Sequence, residues 1–507
     1  MPSQLQSITL QAPGFRGINT QASATSLSPE WALLANNAVF DGSSRIAARK
    51  GFSKLTTSAI AGTPDVSQIA VFEESDGSST VISAANNKLY SGTTTLTDIT
   101  PTTGSVTADN WKFQNFNNKI IGFQDSHDAI EWDGVASDFT YIKDAGGHTG
   151  PPSGDIQGNT VLSAFGRLWA SSSDGYTLVW SDLLDEHNWS TGSSGSLDTN
   201  SIFPSGGDKI VALAAYNNFL VIFGEYSIIV YDNPEVPSTI VLADTIVGVG
   251  CIERDSVQDV GTDLMFLSHS GVRSLARTIE TNTLPLQDLS QQVKNDVIGA
   301  VDNIPTANKI RSIYNPVEGF YLLSLDTVQY CFDVKLSQQG VQPRATTWDS
   351  SLIKSLAYGR DEVMYIGGEG VVGKYDSYLD DTSTYLFTYK STWLDFDSSV
   401  LKFPKRIRAT VAGGYSYDFK FTWSFDFSAQ VTTGTKAIVS QFTPAEWGEA
   451  EWGEDAWSGG DSEISSVAIN MRKAGQHIQW GWQVIINGSP LSIQKVDLFV
   501  KLGRVAR

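Results

Sequence analysis

The sequence predicts an all-β protein in which a β-propeller-like domain is joined to a β-sandwich platform domain, and three observations carry that prediction. Between residues 61 and 380 one local pattern recurs: an apolar strand, a turn rich in Asn, Asp or Gly, and a second apolar strand. Residues 381–507 instead alternate apolar and polar side chains over long runs. The composition fits both, because 45 Gly, 14 Trp, 17 Tyr and 24 Phe with only 18% charged residues describe many short strands separated by tight turns, not a helical bundle. At 507 residues the chain is too long for one ordinary core, so two or three units are expected.

Residues 1–60 read as an N-terminal arm that contributes strands to the platform. Gln6–Leu10 alternates as a short strand, and Ser28-Pro29-Glu30-Trp31 followed by Ala32–Asn37 reads as a short helix or helical turn, with Ser28 as N-cap and Pro29 at the first helical position.

The propeller region, 61–380, is built from hairpins. The clearest copies turn at Asn86-Asn87, Asn117-Asn118, Phe165-Gly166 and Asn217-Asn218, and weaker ones lie around Gly261, Asn315–Gly319 and Gly359–Glu362. Asn and Gly tolerate the positive φ that primed turns demand, while the flanking aliphatic and aromatic residues suit a pleated, half-buried surface. Several hairpins are followed by a strand ending in an aromatic residue near Asp, as in Ile130-Glu131-Trp132-Asp133, Val179-Trp180-Ser181-Asp182 and Val230-Tyr231-Asp232. Most intervals between copies are roughly 40 to 50 residues, the period of four-stranded propeller blades, which gives six or seven blades. An ordinary pair of β-sandwiches is the alternative, although a sandwich has no reason to repeat the order of events within each unit.

In residues 381–507, Tyr417–Phe425, Ile478–Ile486 and Ile493–Val500 read as broad antiparallel strands. One segment stands apart: Glu446–Gly460 repeats Glu-Trp-Gly-Glu and carries Trp447, Trp452 and Trp457 between carboxylates. So short and Gly-broken a stretch is expected either to contact another chain, as interface or tip, or to pack its indoles down on the sandwich.

The chemistry-bearing residues are sparse. Cys251 and Cys331 are the two cysteines, too few for a disulfide framework or a Cys-rich metal module. His127, His148, His187, His269 and His477 include no pair at helix-borne metal spacing, and no nucleophile elbow, phosphate loop or dinucleotide fingerprint occurs. Asp174-Gly175, Asp182, Asp185-Glu186 and Asp361-Glu362 are the carboxylates a glycoside hydrolase would draw on, but the sequence brings no two of them together. Ser171–Tyr176 resembles the Asp-box turn of sialidase propellers, yet its Gly directly follows the Asp, so it reads as a turn. No calcium-loop spacing is present. The expectation is a non-enzyme with no cofactor and no metal. Thirty-five Lys and Arg against 55 Asp and Glu leave a net charge of −20, which excludes general phosphate neutralisation. No run approaches the ~18 apolar residues of a membrane span, and the opening residues lack a basic and apolar leader, so a soluble protein made in a cytoplasm is expected.

Gly17-Ile18-Asn19-Thr20, Leu27–Ala32, Asn36-Asn37-Ala38-Val39-Phe40-Asp41-Gly42 and Arg45–Phe52 together resemble the opening of tail proteins from short-tailed bacteriophages, and the likeness extends to Leu213–Phe223 and Leu264–Leu275. Lys50 stands where Pro is common in the Arg-Pro-Gly ending of that pattern. The resemblance implies a tail nozzle, also called tail tubular protein B: a homohexameric ring below the tail adaptor protein, an attachment point for tail fibres or spikes, and a conduit through which the DNA leaves. It implies a virion protein of the tail, made in the host cytoplasm. Carboxylates facing such a lumen would repel phosphates and keep them moving; ordinary solubility explains the same surplus charge. The rivals are a glycan-binding or glycan-cleaving propeller acting as a receptor-binding tail component, and a peripheral tail-fibre adaptor.

Overall fold

The computed structural model describes residues 5–10, 13–104, 106–107, 109–144, 156–203, 206–261, 263–276, 288–306, 309–335, 342–396, 398–414, 416–439 and 464–505. Trp447, Trp452, Trp457 and His148 lie outside the described residues.

Short turns decide the local structure of the propeller. At Asn86-Asn87, Asn117-Asn118, Phe165-Gly166 and Asn217-Asn218 both central residues have positive φ, between 46° and 70°, as a primed two-residue hairpin requires. The resulting strands make seven blades among the described residues. Blade one is β6 (Gln68–Glu73), β7 (Ser79–Ala85), β8 (Lys88–Ser91) and β9 (Thr97–Asp98); blade two is β10 (Lys112–Phe116), β11 (Lys119–Phe123), β12 (Ile130–Trp132) and β13 (Thr140–Tyr141). Blade three is β14 (Val161–Ala164), β15 (Arg167–Ser171), β16 (Thr177–Trp180) and β17 (Gly195–Asp198); blade four is β18 (Ile210–Tyr216), β19 (Phe219–Gly224), β20 (Ser227–Asp232) and β21 (Val241–Val247). Blade five has three described strands, β22 (Gln258–Asp259), β23 (Leu264–Ser268) and β24 (Gly271–Ser274). Blade six is β25 (Ile310–Asn315), β26 (Phe320–Leu325), β27 (Val328–Asp333) and β28 (Arg344–Trp348), and blade seven contains β29 (Ser355–Tyr358), β30 (Met364–Gly367) and β31 (Val372–Asp376). First strands of successive blades lie side by side, except that the 3-10 turn Arg254–Ser256 before β22 is what packs on β18, and β29 adjoins β6, so the ring is closed.

Two sequence expectations need correction in detail. The Asn86-Asn87 turn joins the second and third strands of its blade, whereas the other Asn-rich turns join the first and second; this offset explains the short first interval between copies. Gly51–Lys54, assigned to the platform arm, is β5 and pairs with β31 as the outermost strand of blade seven. The ring thus closes with a strand from before blade one, a pairing over some 320 residues that no local pattern announces.

The chain enters the platform before the propeller and re-enters it after. One platform sheet runs β3 (Ala38–Phe40), β4 (Ile46–Ala48), β38 (Leu491–Val505), β33 (Val400–Gly413) and β36 (Ile464–Asn470), with β1 (Leu5–Leu10) also on β38. The facing strands run β2 (Ala32–Asn36), β32 (Tyr385–Ser391), β37 (Ile478–Ile486), β34 (Asp418–Phe425) and β35 (Thr432–Ala437). Ala32–Asn36 is therefore a strand and not a helix: only the Trp31 N–H to Ser28 carbonyl bond makes a turn there, and pairing with β32 overrides the helix propensity of Ala and Leu. β2 also touches β28 at Asn36 and Thr347, which makes blade six and the platform one continuous nine-stranded sheet. Phe387, Tyr389, Phe421, Trp480 and Trp482 meet Ile407, Val411, Ile493 and Leu498 in a core that runs on into Met265, Leu267, Tyr321 and Phe332 of blades five and six. Both cysteines are free and buried.

Candidate functional site

The motif residues of the N-terminal arm converge where the chain crosses between platform and propeller. Asn37 lies between β2 and β3 at φ 55°, Arg49 just before β5, and Asp380 between β31 and β32. The outgoing and returning crossings are clipped together by one bidentate pair: Arg49 Nη1 and Nη2 donate to Asp380 Oδ1 and Oδ2 at 2.9 and 2.7 Å. Arg49 Nε donates to Asn37 Oδ1 at 2.9 Å, and its guanidinium carbon stands 4.3 Å from the Tyr385 ring centroid. Burial opposes the Arg49 charge, but Asp380 more than restores it, so the guanidinium pKa lies above its ordinary value. Asn37 Nδ2 in turn donates to Asp349 Oδ1 at 2.6 Å and to the Leu386 carbonyl at 2.9 Å.

Gly51 and Lys50 complete the joint. A Cβ on Gly51 would stand 1.9 Å from the Leu379 carbonyl oxygen, so only glycine lets the two crossings approach. Lys50 Nζ pairs with Glu318 at 2.9 Å, and its N–H donates to the Tyr375 hydroxyl at 3.1 Å. Tyr375 stacks on Trp348, whose indole N–H donates to the Ala38 carbonyl at 2.9 Å. Platform, arm and blades six and seven are thus fastened at one point.

The propeller axis is a second polar centre, absent from the sequence reading. Arg254 and Asp255 enter it from a 3-10 turn before blade five. Asp255 faces Lys112 at 3.0 Å, Arg254 at 3.3 Å and Arg311 at 3.4 Å. Burial alone would raise the Asp255 pKa; the three cations overcome it and hold the carboxyl well below the usual range. Burial and Asp255 raise that of the neighbouring Glu253. Arg254, fully buried, donates to Asn110 Oδ1 at 2.8 Å and Asn159 Oδ1 at 2.5 Å, and Arg311 donates to the Ser67 carbonyl at 2.9 Å. Blades one, two, three, five and six thus meet across the axis at the entry ends of their first strands. Outside this plug lies a cleft of about 360 Å³ with mixed charge, including Asp65, Asp109, Lys309, Asp326 and Lys354.

Of the candidate carboxylates, Glu186 is brought into a cluster, with Glu131 and His187, between blades two and three. Their ligand atoms lie within 4.8 Å of one another, but Lys119 Nζ sits 3.0 Å from Glu131 and 2.7 Å from Glu186, taking the place a cation would occupy. Burial disfavours both charges, yet the pairing raises the Lys119 pKa and lowers that of Glu186. This is an inter-blade lock. Asp174 and Asp361 stay in their own turns, Asp174 accepting from the Tyr176 N–H at 2.7 Å and Asp361 from the Tyr365 hydroxyl at 2.6 Å. Asp182 accepts from Ser193 N–H at 3.0 Å. His127 bonds Thr107, His269 stacks on Tyr226, and His477 packs on Phe427.

A closed propeller carried on a sandwich, its blades and joint locked by buried polar networks, defines a β-propeller protein. The family model described as "Bacteriophage P22 Gp10, beta-propeller" matches residues 56–382, more than half of the chain. The chain belongs to this family and is a phage virion structural protein. No curated protein matches it. Among solved structures it is similar to YCF48 bound to D1 peptide, at 9% identity and TM-score 0.36 over 63% of this chain and 94% of that one. It is also similar to the Pan2 WD40 domain of Neurospora crassa, at 11% identity and TM-score 0.35 over 64% and 95%. A third is an exo-β-1,3-galactanase from Phanerochaete chrysosporium, solved with galactose, at 8% identity and TM-score 0.28 over 89% and 100%. Among the described residues no helix is long and apolar enough to cross a membrane.

Proposed function

We propose that the chain is the tail nozzle of a phage: a non-catalytic protein that assembles as a homohexameric ring below the tail adaptor, bears fibres or spikes, and surrounds the DNA as it leaves. The observation that carries this reading, beside the family, is the bridged propeller axis. With Arg254 fully buried across it, the propeller offers no passage for a duplex, and the conduit of this reading is framed between copies. The fastened joint suits such a ring, because a heterologous assembly closes only when each copy holds a fixed angle to the next. The net charge of −20 would keep phosphates from binding the wall. Trp447, Trp452 and Trp457 are the proposed contacts with a neighbouring chain.

Electron-microscopy class averages of the purified protein, alone and mixed with tail extract, test this. Six-fold rings with a central opening, lined by more Asp and Glu than Lys and Arg, are expected. Solitary propellers that never enter a ring, or hydrolysis of host polysaccharide by the purified protein, would overturn it.

A further inference from the structure

Among the described residues the outer face of β2-β32-β37-β34-β35 leaves large apolar side chains exposed, and it differs from the chain's overall acidity. Leu386 and Ile485, directly paired across β32 and β37, are 41% and 59% exposed, and Leu34 lies beside Lys390 on the same face. Lys390 and Lys420 stand on this face, and among the described residues neither forms an ion pair with a carboxylate; Asp418 is its one acidic neighbour in the alternation. At the centre, Gly481 lies opposite Lys390 on one side and Thr422 on the other. There Leu34, Lys390, Thr422, Val431 and Gln483 surround a cleft of about 190 Å³, room for an aromatic side chain.

The chain carries a segment of matching chemistry. Residues 440–463, connecting the edge strand β35 to the edge strand β36, contain seven acidic residues, no basic residue, and Trp447, Trp452 and Trp457. Aromatic rings flanked by carboxylates complement an apolar cleft flanked by lysines. We infer that residues 440–463 of one copy dock on the β2-β32-β37-β34 face of the next, a Trp entering the cleft over Gly481 and the carboxylates facing Lys390 and Lys420. The inference rests on the ring reading above and names the contact that builds the ring. We take the segment from a second copy because β35 and β36, the strands that flank it, are edge strands of the platform while the cleft lies on an outward face, and edge to face is the head-to-tail geometry that propagates around a ring.

Two full-length variants test it: Lys390→Glu/Lys420→Glu, which keeps the segment but alters the face, and Trp447→Ala/Trp452→Ala/Trp457→Ala, which keeps the face. The first alters the exposed Lys390 and the half-buried Lys420, the second only the connecting segment, and unchanged circular dichroism and thermal unfolding check that each folds. Neither alone should form rings; mixed, they share one intact contact per pair and should form heterodimers that do not close. A labelled peptide of residues 441–462 should bind the triple-Trp variant and lose roughly tenfold or more affinity when the two Lys→Glu changes are added. Rings from the Lys→Glu variant, or peptide affinity indifferent to those lysines, would overturn the docking while leaving the ring intact. Failure of the unaltered protein to form rings would instead strike the ring reading, and peptide binding would still decide the face. Absence of heterodimers, with the Trp fluorescence of the unaltered chain independent of concentration, would place the segment on its own platform and overturn the inference.

Discussion

Replacing Arg49 by Met tests the joint most sharply. The change removes both bonds to Asp380, at 2.9 and 2.7 Å, the Nε bond to Asn37 and the stacking over Tyr385. The Arg49 and Asp380 side chains are 3% and 14% exposed, so the orphaned carboxylate cannot fully rehydrate, and breaking a buried pair in this way costs about 3–5 kcal/mol. Arg49→Lys keeps the charge but loses the fork, and should cost about 1–3 kcal/mol. Because a chain of two units need not unfold in one step, the assay is hydrogen exchange of the Gly51, Phe52 and Asp381 amides, which bridge the two crossings, alongside chemical unfolding. Protection there should fall by more than tenfold in Arg49→Met while blades two to four keep theirs. A loss below about 1 kcal/mol, or a loss spread evenly over all blades, would refute the argument that this pair fastens the crossings.

Lys119→Met should leave Glu131 and Glu186 facing each other and cost about 2–3 kcal/mol, read as faster exchange confined to blades two and three. Gly51→Val should detach β5 from β31, because its Cβ meets the Leu379 carbonyl; limited proteolysis is expected to cut near residue 55, and wild-type resistance would contradict this. Asp255 has a folded pKa held below its unfolded value of about 3.9, so its stabilising contribution is present above pH ~4 and is lost as pH falls through the folded value. Asp255→Asn should therefore be less stable than wild type at pH 7 and show a flatter acid limb, partly offset by Glu253, whose raised pKa works in the opposite sense; parallel acid limbs would exclude Asp255 as their source.

Much of the fold was legible because hairpin turns are local. Asn86-Asn87 and Asn217-Asn218 announce positive φ, and the strands on either side need no distant partner to be recognised. The alternation of Tyr417–Phe425 and Ile478–Ile486 likewise reports one buried and one open face. What failed was non-local. Ala32–Asn36 has helical composition and becomes a strand through its slot between β28 and β32, and Gly51–Lys54 looks like arm because its partner, β31, lies far along the chain. Of the site, Asn37 and Arg49–Phe52 were singled out by resemblance, but Asp380 had no sequence signal. The axial plug left one trace, Glu253-Arg254-Asp255, three consecutive charges between the apolar Cys251-Ile252 and Val257, which is costly anywhere but at a buried network or an exposed loop.

The central claim is that DNA passes between copies of this chain and not along any propeller axis. A cryo-electron-microscopy map of the assembled tail, with DNA retained, tests it directly. The account predicts duplex density on the axis of a ring of these chains, with every propeller axis bridged by Arg254, Asp255 and Arg311. Density threading a propeller axis, or this protein placed away from the DNA path, would contradict it.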